Sequence, residues 1–270
     1  MPTSPNFLSV LQKVHEVRKE PSNGLSLADP YVAAPLSLMV GLIPVLIGVF
    51  MISILKGWEP GRRLLLLGLA TGILFASFFD LMKGTAGLSS STLKDITDVL
   101  NVFAFSIAFV AFYLSHRILA NGVRAIGVAY LWAVLGIGFH SVGEGIIIGY
   151  DFATGFTILS IAQTLSFTLH KLAEGITLGV LMYSSSKVRL VHPIMGGVVA
   201  GVPVAIGTLL GLFGLPEGTS TIFFAAASGA TVYVIANLFQ MGAERRAVFP
   251  LGMLIGFLYM YFAGVLHQFE

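Results

Sequence analysis

Two segments of this chain place a glutamate four residues after a histidine: His140-Ser-Val-Gly-Glu144-Gly and His170-Lys-Leu-Ala-Glu174-Gly. Both continue to read H-x-x-x-E-G-I-x-x-G, and they stand thirty residues apart. A spacing of four puts the two side chains on one helical face, a turn apart. Two imidazoles and two carboxylates supply two nitrogens and two to four oxygens. That set suits zinc, iron(II), manganese or cobalt, whereas magnesium or calcium sites use oxygens alone. Two carboxylates also balance a divalent charge. Without the ion their repulsion favours a proton on one of them, which offers a route to coupled proton and metal movement. The competing reading makes each His–Glu pair a hydrogen bond that locks two buried helices. It explains a single pair as well as a metal does, but a matched second pair less well.

The residues around the second motif extend it. Gln163, Ser166, His170, Glu174 and Thr177 recur at helical spacing and form one polar stripe through an apolar segment. Such a stripe faces a water-filled route or the bundle interior rather than lipid, so this segment reads as the lining of a pathway. Lys171 is anomalous beside a cation site. It is either a tethered positive charge in place of a second ion or an ordinary ion pair with Glu174 three residues on. Ser141 holds the matching position in the first motif. Asp80, near the end of the second apolar segment, marks either the membrane interface or a point of ion access. Asp98 and Asn101 read as helix caps, and Asn237 as an interhelical hydrogen bond. Gly145 and Gly175 suit close helix packing.

The elements that carry these residues must be membrane helices. Of 270 residues, 56% are hydrophobic and only 10% charged, against about a quarter charged in soluble domains. The apolar residues fall in eight blocks near 31–55, 64–82, 97–119, 126–150, 154–183, 191–214, 219–241 and 247–268, each close to the roughly 20 residues of a span. The expected fold is an all-α, polytopic membrane helix bundle of about eight transmembrane helices. Residues 1–30 form an N-terminal tail, with an amphipathic helix possible over 6–20, and 31–270 form the transmembrane domain. No cleavable signal peptide is expected ahead of the first span. Thirty-one glycines favour close helix packing. With no cysteine there is no thiolate site, and a net charge of +2 gives no case for nucleic acid. Lys56, Arg62, Arg63, Arg117, Arg124, Lys187, Arg189, Arg245 and Arg246 all fall in alternate loops. By the positive-inside rule those loops are cytoplasmic and both termini extracytoplasmic, in a multi-pass protein of the cell membrane.

The eight spans, the outside termini and the two paired motifs resemble the ZIP family of divalent metal transporters. His140-Ser141-Val142-Gly143-Glu144-Gly145 is similar to the family's fourth-span pattern, and His170-Lys171-Leu172-Ala173-Glu174-Gly175 to its fifth-span counterpart. Gly72–Asp80 and Ala227–Tyr233 resemble family segments less specifically. The resemblance implies a transporter rather than an enzyme. It would move zinc, or iron, manganese, cobalt or cadmium, toward the cytoplasm, with the ion as cargo and no prosthetic group. His140, Glu144, His170 and Glu174 would be the ligands. A bundle carrying the metal helices would slide against the rest, commonly in a homodimer. Some relatives add a second ion through the residues after each motif histidine and an acid on span six. Here those positions are Ser141 and Lys171, and span six has no acid, so one ion is expected. The usual proline before the motif glutamate is Gly143 or Ala173. The long His-rich loop after span three is reduced to Ala120–Ala125. The alternative activity for such a site is an intramembrane metal-dependent hydrolase, in which the ion activates water. A metal-independent carrier or structural protein is the third reading.

Overall fold

In the computed structural model, the described residues are 29–54, 59–87, 94–119, 125–154, 161–184, 191–215, 218–242 and 248–266. The amphipathic segment at 6–20 and most of the basic loop residues lie outside them. Long apolar runs fold as helices because lipid leaves every backbone N–H and C=O to find its partner within the segment. The helices are α1 (Pro30–Ile54), α2 (Pro60–Gly87), α3 (Lys94–Leu119), α4 (Ala125–Thr154), α5 (Ile161–Ser184), α6 (Val191–Gly201), α7 (Pro203–Leu212), α8 (Gly218–Gly242) and α9 (Val248–Leu266). No strand occurs among the described residues.

Among the described residues, seven spans are long and apolar enough to cross a membrane, one of them formed by α6 and α7 together. Helix α5 completes the set of eight by length. Its 24 residues rise about 36 Å, but its polar residues lower its hydropathy. The outward faces agree with a lipid surround. Val99, Val102, Phe103, Ile107 and Val110 on α3, and Leu251, Leu254, Leu258 and Phe262 on α9, are exposed. Apolar walls of that extent are untenable in water.

The sixth span covers the block expected over 191–214, with its hydrogen-bond ladder interrupted at Val202, where Pro203 opens α7 while Val202 keeps helical φ −60° and ψ −35°. Pro203 has no N–H, so it leaves the Val199 carbonyl without its helical partner. That oxygen lies 2.9 Å from where a Cβ on Gly138 of α4 would stand. Helix α7 then ends on Gly214 at φ 100°, with Leu215 N–H donating to the Leu210 carbonyl at 3.0 Å. This is a left-handed glycine stop.

Glycine contacts link α1 with α4–α7 and, separately, α2 with α9 and α3 with α8. In α4 and α7, a Cβ on Gly145, Gly149, Gly207 or Gly211 would strike backbone atoms of the facing helix. Gly48 and Gly175 do the same between α1 and α5. Helices α1 and α4–α7 therefore lock backbone to backbone. A second set, Gly68, Gly72, Gly252 and Gly256, joins α2 to α9, and Gly229 seats α8 on the backbone of α3. The α4 glycines that face α8 meet side chains, Gly136 the Ala230 methyl and Gly143 the Phe224 ring, as Gly179 meets Ile52 and Gly197 meets Leu46 between α1 and its neighbours. Small residues permit such backbone approach, and packing is what holds helices together in lipid.

Buried hydroxyls are mostly satisfied within their own helices. Thr71, Ser77, Thr208, Ser228 and Thr231 each donate to the carbonyl four residues earlier, at 2.7–3.0 Å. This leaves few polar groups free to act between helices.

Candidate metal centre

Helices α4 and α5 bring the two motifs together near mid-helix. His140 and Glu144 lie halfway along the 30-residue α4, and His170 and Glu174 near the centre of α5. Glu174 and His140 are buried, and Glu144 and His170 nearly so. Each motif contributes one pair at i, i+4, as the spacing predicts.

One atom from each residue points to a common centre. The two Nε2 atoms are 3.1 Å apart. His140 Nε2 stands 3.0 Å from Glu144 Oε1 and 3.3 Å from Glu174 Oε1. His170 Nε2 stands 3.8 Å and 3.2 Å from the same two oxygens. A tetrahedral ion with bonds of about 2.0–2.1 Å needs its ligand atoms about 3.3–3.4 Å apart. These five distances bracket that spacing, and all four ligand atoms lie within 4.8 Å of one another. Among the described residues this is the one group of three or more His, Cys, Asp and Glu placed to hold an ion.

Lys171 closes the other side of both carboxylates. Its ammonium is fully buried. It contacts Glu144 Oε2 at 2.5 Å, Glu174 Oε2 at 2.9 Å and Ser141 Oγ at 2.9 Å. The sequence left two roles open, pairing with Glu174 or a charge shared across the site. The geometry has Lys171 paired to both glutamates, with Ser141 as third acceptor. Phe167 lies beneath the ammonium at 5.6 Å, a distance at which a ring face attracts a cation. One lysine against two carboxylates leaves a net charge of −1, which a divalent ion converts to +1. Either state leaves one unit of charge, so it is the convergence of ligand atoms and not the net charge that points to a cation.

The remaining sequence candidates scatter. Thr177, one turn beyond Glu174, is fully buried, and its hydroxyl has no hydrogen-bond partner among the described residues. Gln163 and Ser166 lie on the first turns of α5, and their side chains are outside the described residues. Asp80 is exposed at the end of α2, 3.7 Å from Lys83. Asn237 donates to the Tyr233 carbonyl of its own helix at 2.8 Å, where an interhelical bond was expected. Asn101 reverses that exchange. It is buried inside α3, which starts earlier than expected, and accepts from Thr221 of α8 at 3.1 Å instead of capping.

Two residues near the centre carry no sequence signal. Phe224 of α8 lies 5.8 Å, centroid to centroid, from the His140 ring, and its edge fills the space that Gly143 leaves. Tyr259 of α9 donates to the Leu169 carbonyl at 3.1 Å, one residue before His170. Both come from the group of helices that does not carry the motifs. Only Gly143 hinted at the first, as a missing side chain beside the motif glutamate. A buried His/Glu group inside a bundle of membrane-length helices fits a metal-handling membrane protein. Comparison with known protein families and with curated proteins finds no match for the chain.

Proposed function

We propose that the protein is a secondary transporter that carries divalent metal ions, zinc foremost, across the membrane toward the cytoplasm. The observation that carries this reading is the convergence of His140, Glu144, His170 and Glu174, with one ligand atom of each within 4.8 Å of the others, in the middle of two membrane-length helices. Ionisable groups are costly at that depth and mark ion pathways. The same residues carry the resemblance to the ZIP transporters.

The two helix groups supply the moving parts. Helices α1 and α4–α7, locked through glycine backbones, form the unit that holds the ion. Helices α2, α3, α8 and α9 form the unit against which it slides. The boundary is made of side chains, Phe224 against Gly143 and Ala230 against Gly136, which can exchange partners more readily than interlocked backbones. The competing hydrolase reading needs an open coordination position for water. Four converging protein donors, enough to complete a tetrahedral shell, speak for holding an ion rather than activating water on it.

The test is zinc uptake into vesicles reconstituted with the purified protein. Uptake should be saturable and should be lost in His170→Ala and Glu174→Ala. Undiminished uptake by either variant rules out the ligand assignment. Zinc binding without any uptake rules out transport.

A further inference from the structure

The ligands at this centre leave each carboxylate divided between two partners. Oε1 of Glu144 and of Glu174 faces the two imidazoles, while Oε2 of each is held by the Lys171 ammonium. An ammonium has three donors; here it donates to Glu174 and Ser141 and stands in ion-pair contact with Glu144 Oε2. The side chain is fully buried and braced by Phe167.

We propose that Lys171 is the positioning residue that sets which ions the site accepts: by engaging the outer oxygen of both carboxylates, it limits each glutamate to one donor and selects ions satisfied by four ligands over ions that require six or more. This rests on the reading of the centre as a metal site and deepens it. With both Oε2 atoms engaged, the site offers two nitrogens and two oxygens. Zinc takes four such ligands readily. Magnesium demands six in octahedral array, calcium six to eight, and manganese favours oxygen-rich octahedral sites. To reach those numbers the carboxylates would have to turn and bind through both oxygens, which means leaving Lys171. Ser141 holds the ammonium in place and so shares the effect. Charge acts in the same direction: a fixed positive group beside the centre opposes a second cation.

The test uses the full-length protein in detergent, loaded with cobalt(II) as a coordination reporter and titrated with zinc and manganese in competition. The wild type should give the intense visible bands of four-coordinate cobalt. Lys171→Met should weaken those bands toward a higher-coordinate spectrum. It should also lower the zinc-to-manganese preference by roughly 10–100-fold, the scale on which partners of metal ligands act. Zinc outranks manganese at most sites, so the reading is the difference between the two proteins, not the preference itself. Ser141→Ala, which leaves the lysine in place, should shift both readouts in the same direction by less, and serves where Lys171→Met does not fold. A six-coordinate spectrum in the wild type overturns the inference and leaves the metal site standing. So do folded variants with wild-type spectrum and wild-type preference. A wild type that binds neither cobalt nor zinc overturns the metal site itself, and this inference with it.

Discussion

Gly145 stands next to Glu144, a proposed ligand, and against the backbone of α7, so a single methyl there should act on both stability and metal binding. A Cβ at Gly145 would stand 2.1 Å from the Val204 carbonyl oxygen, 2.8 Å from the Thr208 nitrogen and 2.9 Å from the Gly207 Cα, all of them backbone atoms. No side chain can rotate away. Restoring ordinary contact at 3.4–4 Å requires α4 and α7 to part by about an ångström. Overpacking of this kind costs about 1–3 kcal/mol, more than the roughly 0.5–1 kcal/mol that alanine gains over glycine in a helix. The same displacement moves Glu144 beyond the tolerance of about 0.2 Å on metal–ligand distances. Gly145→Ala should therefore melt below the wild type in detergent and bind zinc more weakly in chelator competition. Gly264→Ala is the control, because nothing lies within 4 Å of its added methyl. It should match or exceed wild-type stability and leave zinc affinity unchanged. A Gly145→Ala protein with wild-type melting and wild-type affinity would refute the backbone-contact argument.

Other perturbations separate the two helix groups. Thr221→Val removes the buried bond to Asn101 within the group that lacks the motifs. It should cost about 0.6 kcal/mol, the mean for such bonds in membranes, and leave zinc affinity intact; a loss of affinity would contradict the division. Tyr259→Phe removes the bond that reaches across to Leu169. It should change the rate of uptake with little change in equilibrium zinc binding, and an altered affinity at unaltered rate would speak against a boundary role. Zinc affinity should fall as pH is lowered, since imidazole must be neutral and carboxylate ionised to bind metal. Binding isotherms that do not move with pH would remove these side chains as ligands.

The buried His/Glu group was legible because its signal is local. Two i, i+4 pairs and an apolar surround define a shared face without knowledge of how helices pack. The spans were legible for a related reason: in lipid a long apolar run has few alternatives to a helix. What escaped depends on which helix faces which. Asn101 sits near the start of a span and reads as a cap, yet α3 begins at Lys94 and carries it inward to Thr221. Asn237 reads as interhelical, yet its own helix offers the Tyr233 carbonyl first. In the sixth span hydropathy averages over Pro203 and describes the block as one segment, without the interruption in its ladder. Phe224 is one of 21 phenylalanines, and nothing in its neighbours distinguishes it until α8 is laid against α4. Lys171 was noticed as an anomaly. Its double pairing required the register of α4 against α5, which brings Ser141 and Glu144 to the same ammonium.

The central claim is that His140, Glu144, His170 and Glu174 together hold one divalent ion. Equilibrium dialysis of the purified protein against zinc, with the metal counted by mass spectrometry, tests it most directly. The account predicts one tightly held zinc per chain in the wild type and none in the His170→Ala, Glu174→Ala double variant. A second zinc of similar affinity, or a zinc retained by the double variant, would contradict it.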